Sequence, residues 1–146
     1  MGPNGEALVR SGVSRDRRLL GVCAVDCALV ILVLAYGLTE HAIDPVARPW
    51  YTLRTALPFL VGWFVVAPLV GAYRLATIRG ILATVVVVPT AWIGASFLGG
   101  AIRATELVPG TAPPIFVLVV IAGGIAVLLP WRLGFGWLLW RRFEST

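Results

Sequence analysis

One carboxylate lies inside a long apolar stretch of this chain. Asp26 belongs to the run from Leu19 to Leu38, in which it is the only acidic or basic residue. An unpaired charge at that depth in lipid is strongly unfavourable, so this group must be protonated, paired or hydrated. The residue either moves protons or cations across a membrane, or ties helices together through a salt bridge or hydrogen bond.

Two arginines at the ends of other apolar runs are candidate partners of this carboxylate. Arg132 directly follows the fourth run and is the first choice, because its long side chain can reach back toward Asp26. Arg74, at the end of the second run, is the second choice. Either ion pair would keep the carboxylate charged and argue against a proton carrier.

Three prolines fall at similar depth in the second, third and fourth runs: Pro68, Pro89 and Pro130. A proline inside a helix removes one hydrogen bond and frees the carbonyl four residues earlier, which in lipid must find a partner within the protein or in water. One hypothesis is therefore a polar site formed by Asp26 and these carbonyls. The alternative is that membrane helices simply tolerate the prolines.

Small residues predict where helices pack closely, within one chain or between chains. They are Ala67 and Gly71 in the second run, Ala91, Ala95 and Gly99 in the third, and the pair Gly123 and Gly124, which we expect to break the fourth.

Two tryptophans lie at similar depth in neighbouring runs. Trp63 is in the second run and Trp92 in the third. Their ring N–H groups need hydrogen-bond partners if they are buried. We interpret both first as core residues and second as the wall of a ligand pocket.

Residue sets for catalysis or metal binding are missing from the sequence. His41 is the single histidine and Cys23 and Cys27 are the only cysteines, so a zinc pattern cannot be assembled. The chain has no lysine, no Ser–His–Asp set and no glycine-rich phosphate loop. We expect no enzymatic activity, no metal and no cofactor.

The composition indicates that lipid surrounds most of the chain. Hydrophobic residues make up 59% and charged residues 13%, against about 25% charged residues in soluble domains. The mean hydropathy is +0.92. The net charge of +5 comes from arginines that flank the apolar runs. Anionic lipid headgroups explain that pattern better than nucleic acid does.

The apolar runs predict an all-α integral membrane protein, a four-helix bundle. A helix of about 20 residues covers the roughly 30 Å of a hydrocarbon core. The runs lack the alternation of a membrane barrel strand. The predicted spans are 19–38, 56–73, 81–102 and 114–131.

The segments outside this transmembrane domain, 19–133, are short. Residues 1–18 predict a disordered basic tail, and residues 134–146 an interfacial segment and tail. The stretch 132–142 either continues the fourth helix or forms a separate interfacial helix.

The placement of arginines predicts the orientation. Cytoplasmic loops and ends of membrane proteins carry an excess of basic residues. This rule places both termini in the cytoplasm. We expect the membrane to be the plasma membrane. The inner side receives Arg10, Arg15, Arg17, Arg18, Arg74, Arg79, Arg132, Arg141 and Arg142, and the outer side Arg48, Arg54 and Arg103.

Several short apolar stretches that contain Pro, Gly, Trp or Arg at particular positions resemble the sequences of a known family. They are 58–63, 68–73, 103–105, 114–117, Trp131-Arg132 and Asp26. Together they look like the domain-of-unknown-function 3054 family of small prokaryotic membrane proteins, over about residues 19–133. The resemblance implies a four-helix membrane protein without an assigned activity.

These observations leave two functional hypotheses. The first is an oligomeric transport or permeation component in which Asp26 is the polar switch. The second is a non-catalytic accessory or scaffold subunit that packs against another membrane protein through its small-residue faces. The expected partners are membrane lipids and either further copies of the chain or an unidentified membrane protein, not nucleic acid.

Overall fold

The structure, a computed structural model, describes residues 3–105, 107–108 and 110–144. All regular secondary structure in these residues is helical. The helices are α1 (Pro3–Thr39), α2 (Pro49–Leu69), the short α3 (Leu75–Arg79), α4 (Ile81–Arg103) and α5 (Pro114–Glu144).

Four of these helices are long and apolar enough to cross a membrane. The candidate spans are Arg17–Thr39, Pro49–Leu69, Ile81–Arg103 and Pro114–Arg141. The predicted all-α fold is therefore confirmed, and its four long apolar helices are compatible with a membrane four-helix bundle.

The four long helices pack around a common core in the order α1–α2–α4–α5. Helix α4 packs most extensively on α2 and next on α5, while α1 closes the ring by contacting α2 and α5. The buried face of α1 repeats every four residues, which is the spacing of one face of a helix. It consists of Val22, Asp26, Val30, Leu34 and Leu38.

The second helix ends earlier than predicted because of Gly71. This residue has φ +82°, a left-handed conformation that favours glycine. The Ala72 N–H bonds the Ala67 carbonyl at 2.9 Å and the Gly71 N–H bonds the Pro68 carbonyl at 3.1 Å, which is the Schellman pattern of a helix C-terminus. The prediction that Gly71 packs helices together was therefore wrong, because this residue terminates one.

Both ends of the chain are more helical than predicted. Helix α1 begins at Pro3, whereas the sequence predicts a disordered tail over residues 1–18; residues 1 and 2 lie outside the described part. Adding residues to an existing helix is far easier than nucleating one, so the first span can extend into the polar segment. Helix α5 is continuous through Gly123, Gly124 and Pro130. The stretch 132–142 therefore continues the fourth helix, and the expected break at the two glycines is absent.

The small residues are used for packing within the chain. Ala91, Ala95 and Gly99 are buried on α4, and Ala95 and Gly99 lie against α2. A Cβ on Gly99 would lie 2.9 Å from the Cα of Phe59, and one on Gly62 would collide with the Ala95 carbonyl.

The other predicted packing residues are also directed at neighbouring helices. Ala67 on α2 is fully buried. Gly123 on α5 approaches Val33 of α1, and Gly124 approaches the Trp92 ring of α4. These faces are therefore occupied by the chain itself.

Candidate functional site

A buried polar cluster joins three parts of the chain around Asp26. Helix α1 contributes Asp26, the turn after α2 contributes Tyr73, and α5 contributes Trp131 and Arg132. Asp26 is 0% exposed and Arg132 is 2% exposed. The carboxylate points inward because it belongs to the buried face of α1.

The ion pair between Asp26 and Arg132 is bidentate. Nη2 of Arg132 lies 2.6 Å from Oδ2 of Asp26, and Nε lies 3.0 Å from Oδ1. Such fork geometry gives the strongest and most directional of the hydrogen bonds between charged groups. Of the two partners considered from the sequence, the structure pairs Arg132 with Asp26.

Two aromatic side chains complete the coordination of the carboxylate. The Tyr73 hydroxyl donates to Oδ2 at 2.8 Å, and the Trp131 ring N–H donates to Oδ1 at 3.2 Å. Each oxygen of Asp26 therefore accepts two hydrogen bonds, and every neighbour is a donor. This arrangement occupies the acceptor positions of the carboxylate.

The donors of this cluster are themselves held in place. Nη1 of Arg132 donates to the Ala72 carbonyl at 3.0 Å, and its guanidinium lies 4.7 Å from the Tyr73 ring centroid. The Trp63 ring N–H donates to the Tyr73 hydroxyl at 2.8 Å. The hydroxyl thus accepts one bond and donates another, so the cluster forms a connected network.

The two central tryptophans belong to the core. Trp63 and Trp92 are both 0% exposed, with ring centroids 5.9 Å apart in an edge-to-face contact. The N–H of Trp92 donates to the Val120 carbonyl at 3.1 Å. The groove lined by α3, α4 and α5 does not include either ring, and the second interpretation, a pocket wall, stays a prediction.

The remaining predicted residues lie outside the cluster. Arg74 is exposed in the turn that follows Gly71, so the alternative pair with Asp26 does not form. Pro68 and Pro130 are exposed and Pro89 is half-buried. Pro130 stands two positions before Arg132, which is about 200° around a helix, so the two side chains point to opposite sides. The hydrogen-bond partners of Asp26 and Arg132 do not include the carbonyls that these prolines free, so the proline-based polar site is not assembled. The carbonyl that meets the cluster is that of Ala72.

Two members of the cluster, Tyr73 and Trp131, were missed as site residues. Both stand at ends of apolar runs, where aromatic residues usually mark the membrane–water boundary. One feature of the sequence could have identified Trp131 as a site residue: it directly precedes Arg132, the predicted partner of Asp26. Position alone does not distinguish a boundary aromatic from one that turns inward to donate a hydrogen bond.

Metal-binding groups are not brought together in the part of the chain that the structure describes. No three His, Cys, Asp or Glu side chains there come close enough to hold an ion. Cys23 and Cys27 are free, half-buried thiols on α1.

Comparison with known protein families shows to which family the chain belongs. The family described as "Protein of unknown function (DUF3054)" matches residues 23–135. The chain belongs to this family. The matched DUF3054 region begins just before Asp26 and ends just after Arg132, so it contains the entire polar cluster. Searches of curated proteins and of solved structures each found no match.

Removing the Tyr73 hydroxyl is expected to destabilise the protein by about 1–3 kcal/mol. In Tyr73→Phe, Asp26 loses a donor and the Trp63 N–H loses its acceptor, both in a buried setting. The loss is measured by equilibrium unfolding in detergent micelles. Tyr36→Phe is the matched control, because Tyr36 is 67% exposed on α1 and should change stability by no more than about 0.5 kcal/mol. Equal losses in the two variants would contradict a structural role for the hydroxyl.

Proposed function

We propose that this protein is a non-enzymatic structural subunit: a rigid four-helix bundle that forms part of a larger membrane assembly. In this proposal the assembly lies in the plasma membrane, and both termini of the chain are in the cytoplasm. The observation that carries the proposal is the saturation of Asp26 by four donors. A group that moves protons or cations must change its partners or its charge during each cycle. This carboxylate is instead held by an arginine that has only 2% of its surface exposed.

The packing of the interior also supports a structural role. The small residues of α2, α4 and α5 face neighbouring helices and leave little room between them. A partner protein would therefore contact the outward-facing side chains and not the glycine and alanine faces. Leu57, Val61, Phe64 and Val65 of α2 are examples of such exposed apolar residues.

The competing function is permeation through an oligomer that uses Asp26 as a polar switch. It is motivated by the same intramembrane carboxylate. It requires that the Asp26–Arg132 pair opens during transport, because both groups are buried and bound to each other in this structure.

Mild detergent extraction followed by light scattering and mass spectrometry tests the proposal. We expect the 15.6 kDa chain to purify with a second membrane protein in fixed stoichiometry. The opposite result is a pure homo-oligomer that, in liposomes loaded with a pH-sensitive or cation-sensitive dye, conducts ions.

A charge-neutral double variant separates the two functions further. Asp26→Asn combined with Arg132→Gln removes both charges while keeping groups that can form hydrogen bonds. The structural role predicts that this folded variant still binds the partner protein. A permeation role predicts that ion flux disappears in the same variant even though it folds.

A further inference from the structure

A groove opens at the end of the bundle where α1 begins, α2 ends, α4 begins and α5 ends, here called the basic end. Its volume is about 670 Å³, within the range of roughly 300–1,000 Å³ typical of sites for small ligands. Its walls come from α3, the first turn of α4 and the last turns of α5. The large apolar lining residues are Ile78, Ile81, Leu82, Leu133, Trp137 and Trp140.

Much of this lining is left uncovered by the chain. Ile81 is 71% exposed and Leu82 is 83% exposed, and the Trp137 and Trp140 side chains are about half exposed. The floor is closed where α5 meets α3, since a Cβ on Gly136 would lie 2.5 Å from the Ile78 carbonyl oxygen. Tryptophans at a helix end typically lie at the boundary between hydrocarbon and headgroups. The groove therefore faces the layer in which lipid chains meet their headgroups.

The charges around the groove are basic. Arg79 belongs to its lining, and the Arg141 guanidinium is stacked 4.3 Å from the Trp137 ring centroid. No acidic side chain occurs among the described lining residues. Arg132 also reaches the groove, where it is paired with Asp26. An apolar groove with arginines at its edge fits a ligand that has both an apolar chain and a negative charge.

We propose that this groove binds one anionic phospholipid of the membrane. The acyl chain lies along the wall formed by Ile81, Leu82 and Trp137, and the phosphate group lies near Arg141. Basic pockets between membrane helices bind anionic headgroups through the same combination of charge and apolar contact. The groove meets the buried cluster at Arg132, and the lipid site does not depend on the proposed structural role.

Native mass spectrometry of the full chain in micelles tests the site with two lipids of identical acyl chains. We expect phosphatidylglycerol to bind more tightly than phosphatidylcholine. Arg141→Gln should weaken phosphatidylglycerol binding about fivefold, the effect of one basic residue near an anionic surface. Arg54→Gln is the matched control, because it removes the same charge from an exposed position on α2 toward the opposite end of the bundle. It should leave binding unchanged.

Three results would overturn this assignment. The first is equal binding of the two lipids, which would make the groove a nonspecific apolar surface. The second is an equal effect of Arg141→Gln and Arg54→Gln, which would mean that net charge and not the groove attracts the lipid. The third is a dimer that excludes lipid from the groove, which would identify a second copy of the chain as its occupant.

Discussion

Replacing Asp26 by asparagine is expected to destabilise the folded protein by about 3–5 kcal/mol. The change leaves the Arg132 guanidinium charged and 2% exposed, without the carboxylate that now binds it at 2.6 Å and 3.0 Å. Removing one member of a buried ion pair is far more harmful than removing both, since it creates an uncompensated buried charge. Equilibrium unfolding in micelles, followed by tryptophan fluorescence, measures the loss.

A double-mutant cycle isolates the ion pair from other effects. The variant with both Asp26→Asn and Arg132→Gln should be less destabilised than the sum of the two single variants by about 2 kcal/mol or more, because side chains in one network are coupled. Arg74→Gln removes an exposed arginine of the same end and should change stability by no more than about 0.5 kcal/mol. Strictly additive losses would show that the pair does not act as a unit.

Adding a single methyl group at Gly124 is expected to destabilise the bundle by about 1–3 kcal/mol, the usual effect of overpacking a core. The new Cβ of Gly124→Ala would overlap the indole of Trp92. That ring is 0% exposed, packs against Trp63 and donates its N–H to the Val120 carbonyl, so it has little freedom to move aside. Thermal unfolding in micelles is again the measurement.

Gly134→Ala provides a matched control in the same helix. A Cβ at Gly134 would have no neighbour within 4 Å. Alanine is favoured over glycine inside a helix by about 0.5–1 kcal/mol, so this variant should be slightly stabilised. If both variants had the same effect, the close approach of α5 to α4 at Gly124 would not be a determinant of stability.

These two regions explain how so small a membrane protein holds its helices in one arrangement. Lipid provides no hydrophobic driving force for helix association, so close packing and interhelical polar contacts must supply it. Gly62, Gly99 and Gly124 allow the close contacts along α4. The Asp26 cluster attaches α1 to α5 and to the turn after α2, at the basic end.

The sequence by itself determined the number of spans and the class of fold. Hydropathy is a local and additive property, and a helix that satisfies its own backbone is the natural form of an apolar run in lipid. The depth of Asp26 and the position of Arg132 at the end of the fourth run were also sufficient to predict that the two residues form an ion pair. Depth along a helix depends only on residue number and rise per residue.

Some helix ends are set by a local residue, and others by the extension of a membrane span into the neighbouring polar sequence. The end of α2 was readable in principle from Gly71, but only its φ of +82° distinguishes a terminating glycine from one that packs helices. The helical segment from Pro3 continues a stable span into a polar sequence that would predict disorder if it stood alone.

The composition of the polar cluster was decided by the tertiary structure. Which way a side chain points depends on the rotation of each helix about its own axis, and packing against the neighbouring helices sets that rotation. This is why Pro68 and Pro130 face outward although they share a depth with Asp26, and why the proline-based site is not formed. It is also why Tyr73 and Trp131, which resemble ordinary boundary aromatics in the sequence, turn inward and complete the coordination of the carboxylate.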